Sequence, residues 1–216
     1  MPAHAGELTE LEMRWLKAGW PVVAYAKEQR LPIDIVVQPQ AKPGDAPLAM
    51  GYVDGRCKLV LAMRGNPEAE ATLARIDAPM LAPVVEAMVA HEVGHCWRYV
   101  NGAWHTVPAG FVESAEAPPS NDPELTRLQR DMRETRREEG YADLVGLAWT
   151  RAHHAAVYAR VHAWFAQVRD DQPVPGAHHD TRAWLRLARD PSALGSAGTP
   201  FEQARALWQA GLDSPD

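Results

Sequence analysis

Residues 79–100 read PMLAPVVEAMVAHEVGHCWRYV, and this stretch organises the chain. Leu81, Val84, Val85, Met88 and Val89 recur at helical spacing, and His91, Glu92 and His95 continue the series. The pattern predicts a helix from about Pro79 to about Val100, stopped by Asn101-Gly102. Between Met88 and Trp97 the only charge is Glu92. Two histidines and a glutamate thus sit in a helix that reads as buried, and buried polar groups need partners.

His91-Glu92-Val93-Gly94-His95 has the pattern H-E-x-x-H. Residues four apart lie one turn apart on one helix face, so both imidazoles can reach one ion. Zinc accepts neutral imidazole nitrogen at about 2.0–2.1 Å and prefers four ligands in a tetrahedron. Glu92, one residue on, is placed to take a proton from a water at the metal and pass it to a leaving amine.

A third ligand is expected from a second helix, starting at Asp122-Pro123-Glu124 and running to about His153. Leu125, Leu128, Met132 and Thr135 form a stripe that continues to Glu139, Ala142 and Asp143. This phase turns Glu139 inward and Glu138, about 100° away, toward solvent. Glu139 is then the third zinc ligand. Asp143, one turn further, would accept the free N–H of His91 or His95 and fix its tautomer.

The rest of the chain suggests α+β architecture, mainly helical, with a small sheet packed on the helix that bears His91. Thr9 and Glu12 have capping-box spacing, so a first helix starts near Glu10; Gly19 and Pro21 are expected to interrupt it, with a second short helix over Val23–Gln29. Ile33–Val37 reads as a strand. Ala49–Val53 and Cys57–Met63, joined through Asp54-Gly55, read as a hairpin, because a type I′ turn needs positive φ at both central residues. Ala103–Pro123 looks irregular, either a wall of a cleft or a plain connection, and Asp170–Gly176 is a second break. Helices are expected over Ala155–Val168, Thr181–Arg189 and Phe201–Gly211. With 216 residues, one domain spanning 1–216 suffices.

His91-Glu92-Val93-Gly94-His95 followed by Glu139-Gly140-Tyr141-Ala142-Asp143 resembles the gluzincin metallopeptidases, whose pattern is H-E-x-x-H and a later helix bearing E-x-x-x-D. The form E-x-x-A-D is particularly similar to the HtpX-type peptidases. The motifs cover two helices. The resemblance implies a zincin-like domain with His91, His95 and Glu139 as zinc ligands, Glu92 as general base and acid, and Asp143 as an outer carboxylate. It also implies an edge strand beside the active-site helix on which an extended peptide lies, a place the Ala49–Met63 hairpin could fill. HtpX-type enzymes are embedded in membranes, whereas this chain shows no spanning segment, so any kinship is with soluble relatives. The metzincin extension is absent: Arg98 and Asn101 stand where its glycine and third histidine would be.

A peptidase also needs a donor for the oxyanion of its tetrahedral intermediate. His178-His179-Asp180-Thr181-Arg182 is the candidate segment, with His178, His179 or Arg182 as donor and Tyr141 as another; His105, His153 and His154 read as solvated or packing residues. The expected activity is zinc-dependent hydrolysis of peptide bonds in a peptide or protein substrate. Two alternatives stand beside it: a non-catalytic, zincin-like partner-binding domain, and a metal hydrolase acting on a non-peptide amide or ester. The formal charge of −6, with basic residues clustered only at Arg127–Arg137 among acids, argues against nucleic acid as a partner. No apolar run reaches the length of a membrane span, and Met1–Trp20 has no signal-peptide core, so the expected location is cytoplasmic. Cys57 and Cys96 read as two reduced, mostly buried thiols.

Overall fold

The protein is described from a computed structural model that covers residues 7–111, 121–171, 177–196 and 198–212. Parts of the two expected irregular stretches, 112–120 and 172–176, lie outside the described residues. The chain is mostly helical with one three-stranded sheet: α1 (Glu10–Glu28), β1 (Ile33–Val37), β2 (Leu48–Val53), β3 (Arg56–Leu61), α2 (Pro67–Ala74), α3 (Leu81–Val100), α4 (Pro123–His153), α5 (Tyr158–Asp170), α6 (Arg182–Leu187) and α7 (Pro200–Leu212).

Thr9 and Glu12 form the expected capping box, and α1 then runs unbroken through Pro21. This corrects the expected break. Proline removes the N–H that would bond to the carbonyl four residues back. Here that carbonyl belongs to Lys17, and both Lys17 and Pro21 are exposed, so water can replace the lost partner. Trp15, Val22, Val23 and Ala26 bury the opposite face. Gly19 sits where a Cβ would come within 2.5 Å of Val89 Cγ2, so a bare backbone lets α1 lie against α3.

The sheet has the order β1-β3-β2, with β1 parallel and β2 antiparallel to β3. The hairpin turn is as expected: Asp54 and Gly55 have φ of 52° and 73°. Among the described residues β2 is therefore an edge strand, hydrogen-bonded to β3 alone. Helix α2, which the sequence reading missed, is capped by the Asn66 side chain with Pro67 in its first turn.

Cys57 on β3 and Cys96 on α3 form a disulfide with Cα atoms 5.6 Å apart, correcting the expectation of two reduced thiols. Both residues are fully buried in the core between sheet and helix. Cys96 points away from the His91–His95 face, as its helical phase requires, and that direction leads to β3. Disulfides persist in oxidising environments and are rare in the cytosol, so the bridge is at odds with a cytoplasmic location. Among the described residues no helix is long and apolar enough to cross a membrane.

Helices α3 and α4 form the centre. At Gly94 a Cβ would lie 3.3 Å from Ala142 Cα, and at Gly146 one would lie 2.7 Å from the Ala87 carbonyl oxygen. The two backbones therefore approach where side chains are missing. The C-terminal half of α4 is buried on every side from Glu138 to Thr150. Its N-terminal half stands at the surface: Leu125, Leu128 and Met132 are 50%, 47% and 42% exposed, so the apolar stripe expected to face inward does not.

The fold yields a direct check on the bridge. Protein unfolded in guanidinium without reductant is expected to show no titratable thiol, and two after reduction; two thiols before reduction would remove the bridge.

Candidate metal centre

The close packing of α3 on α4 brings four residues of the two motifs together. His91 and His95, four apart on α3, present Nε2 atoms 3.2 Å from each other. Glu139 on α4 reaches both: Oε2 is 3.4 Å from His91 Nε2 and Oε1 is 3.3 Å from His95 Nε2. All three residues are buried, and the group has the make-up of a metal-ligand set.

The group has the spacing for a shared cation. Ligands on arms of about 2.0–2.1 Å at the corners of a zinc tetrahedron are about 3.3–3.4 Å apart; here the two Nε2 atoms are 3.2 Å apart, and each faces a different oxygen of Glu139, at 3.4 and 3.3 Å. The donor chemistry fits too. Asp143 Oδ1 lies 2.8 Å from His91 Nδ1, so that nitrogen carries the proton in a neutral ring and Nε2 offers a lone pair toward Glu139 and His95. Electron-rich atoms converge on a point that only a proton or a cation can satisfy. With no cation between them the proton stays on His91: burial works against its charge, but Asp143 and Glu139 overcome that and raise its pKa to about 10. Burial also opposes the charge of Glu139, yet both histidines hold its carboxyl well below the usual range.

Asp143 anchors the arrangement and settles which imidazole it orients: His91, not His95. It is fully buried. Arg169 on α5 grips it with Nε at 2.9 Å from Oδ2 and Nη2 at 2.7 Å from Oδ1, and Thr181 Oγ1 donates to Oδ2 at 2.5 Å. Burial penalises the charge on Asp143, but Arg169 and His91 outweigh it and push its pKa down. Arg169 also reaches Glu139 Oε2 at 3.4 Å. Thr181 belongs to the His178–Arg182 candidate segment but was given no part in orienting a ligand, and Arg169 was not singled out from the sequence, although a signal existed for the arginine. It continues the buried stripe Tyr158, Val161 and Phe165 of α5, where a cation needs a buried anion.

The side of the triangle away from Asp143 opens into a cleft of about 610 Å³. Glu92, Met88, Trp104, Phe165 and His179 line it, with Leu48, Ala49 and Met50 of β2 along one wall. Burial raises the pKa of Glu92, against the pull of His91 and His95.

The other expected residues divide. His179 lines the cleft with Nε2 3.6 Å from Glu139 Oε2, and burial lowers its pKa to about 4, so its ring is neutral near pH 7. His178 is exposed, lies against His179 with the rings tilted by 54°, and does not line the cleft. Arg182 forms a bidentate pair with Asp180. Tyr141 is buried with its hydroxyl donating to the Phe201 carbonyl, far from the role of a cleft donor. Glu138, expected to face solvent, is 1% exposed and paired with Arg98 through two hydrogen bonds of 2.8 and 2.7 Å. The phase argument failed because α4 is enclosed on all sides there, so no face is left for solvent.

Compared with protein-family models, with curated proteins and with solved structures, the chain matches none.

The two neighbouring glutamates separate cleanly by experiment. Glu138→Gln is expected to lower stability by roughly 3 kcal/mol, the cost of stranding a buried partner, read by chemical denaturation. Glu139→Gln is expected to weaken zinc binding far more than Glu138→Gln does, read by chelator competition. The reverse order would mean that Glu138 is the ligand.

Proposed function

We propose that this protein is a zinc-dependent hydrolase of the zincin type that cleaves peptide bonds. The observation that supports this reading is the buried His91–His95–Glu139 cluster, whose ligand atoms lie within 4.8 Å of one another and line a cleft that Glu92 also lines. A structural zinc is closed by four protein ligands, whereas a catalytic one keeps a position for water or substrate.

When bound, zinc supplies Lewis acidity, polarising a carbonyl and lowering the pKa of a water to about 7. The chain's own residues do the rest. Glu92 takes the proton of the attacking water and delivers it to the leaving amine, a task that suits a carboxyl whose pKa is raised by its surroundings. Neutral His179 retains one N–H and donates it to the carbonyl oxygen as negative charge develops there. Asp143, held by Arg169 and Thr181, keeps His91 in the tautomer whose Nε2 is free. The free edge of β2 offers main-chain groups to an extended peptide, which favours a peptide over a compact small molecule.

Three outcomes test the reading. Protein purified without added metal should carry about one zinc per chain, and His95→Ala should carry none; no zinc in either, with none taken up on addition, would overturn it. Glu92→Gln should keep the zinc and lose at least about 100-fold in peptide cleavage, so full activity in that variant removes the general-base role. Zinc uptake near pH 7 should release about one proton, because His91 must give up the charge it holds in the metal-free protein. Calorimetry in buffers of different ionisation enthalpy reads that proton directly.

A further inference from the structure

The two histidines of the triangle are held in different ways. His91 Nδ1 has Asp143 at 2.8 Å, and Asp143 is itself locked by Arg169 and Thr181. His95 Nδ1 is buried and has no hydrogen-bond partner among the described residues. A metal-ligating histidine almost always donates its second ring N–H to a carboxylate, a carbonyl or a water, and that bond sets the ring's orientation. Among the described residues no side chain or backbone group supplies that bond to His95, and the contact that bears on its imidazole is aromatic.

Trp104 makes that contact. Its ring meets His95 edge to face, with centroids 5.6 Å apart and planes at 70°. Trp104 is itself stacked on two neighbours: on Tyr99 at 3.9 Å and 17°, and on His105 at 5.0 Å and 27°. Tyr99 in turn stacks on Tyr52 of β2 at 5.0 Å. The segment carrying Trp104 is tied to the helix pair by a buried ion pair. Arg98 binds Glu138 and donates to the Thr106 carbonyl at 2.9 Å, while Glu138 accepts the His105 backbone N–H at 2.9 Å.

We propose that Trp104 is the positioning residue for His95, replacing by aromatic packing the hydrogen bond that orients His91. The inference rests on the zinc reading and explains why two charges, Arg98 and Glu138, are buried beside the site without lining the cleft. They hold the 103–106 segment so that its tryptophan bears on the ligand. An edge-to-face contact restricts the ring without accepting its proton, and it works only while an aromatic face is present.

The test compares Trp104→Phe with Trp104→Leu in the full chain, using zinc and cobalt(II) as probes. Trp104→Leu keeps a smaller apolar side chain and loses the aromatic face. It should bind zinc roughly 10–100-fold more weakly, the range for losing an outer partner of a ligand, and should alter the visible spectrum of the cobalt-loaded protein. Trp104→Phe should restore both, with the melting temperatures of the metal-free variants unchanged relative to each other. If wild type binds zinc through His95 and both variants bind as tightly with the same cobalt spectrum, the positioning role is overturned and the zinc site stands. Equal weakening in both variants, tracking a loss of metal-free stability, also overturns it, since the aromatic face would then not matter. If wild type and variants alike bind no zinc, the zinc reading itself falls and takes this inference with it.

Discussion

The close approach of α3 and α4 is the constraint on which the site depends. His91 and His95 come from one helix and Glu139 and Asp143 from the other, and neither pair has a reason to be buried alone. Missing side chains at Gly94 and Gly146 let the backbones come near enough for carboxylate and imidazole to meet at 2.8–3.4 Å. A methyl group at Gly146 would stand 2.7 Å from a carbonyl oxygen, which backbone can relieve only by moving apart. Packing of the two helices at these glycines thus sets the distances at which His91, His95 and Glu139 meet.

Bringing those groups inside creates an electrostatic problem that the rest of the structure addresses. Glu138, Glu139 and Asp143 lie within two turns of one buried helix segment. Each is met by cationic or donor groups from other elements: Glu138 by Arg98, Asp143 by Arg169, Thr181 and His91, and Glu139 by both histidines and Arg169. Helix α5 and the turn before α6 are therefore as much parts of the site as the two motif helices. Without Arg169, Asp143 would be a buried anion short of its main counter-charge, and its hold on the His91 tautomer would weaken.

The sheet is tied to the same helix by a covalent bond. Cys96 directly follows His95, and its partner Cys57 is the second residue of the central strand β3, whose neighbour β2 forms a wall of the cleft. The bridge and the Tyr52–Tyr99–Trp104 stack join the same face of the sheet to α3, from the paired residues Cys57 and Tyr52, so two neighbouring contacts fix the sheet against the helix that carries His91 and His95.

Sequence by itself determined the local geometry. H-E-x-x-H on a helix puts two imidazoles on one face whatever surrounds them, Asp54-Gly55 dictates a tight hairpin turn, and Thr9 with Glu12 starts α1; each rests on interactions within a few residues. Placement of Glu139 and Asp143 inward was legible from their spacing, but the stripe used to argue it was not: Leu125, Leu128 and Met132 are exposed, while Glu138 is as enclosed as its neighbour. Only the tertiary structure decided those points, because helical phase tells which residues share a face and not how many faces are covered. It also decided that the cysteines pair, that Arg169 and Thr181 close the Asp143 network, and that Trp104 bears on His95. Those contacts join residues from 9 to 39 positions apart on different elements, and no local pattern carries their distance.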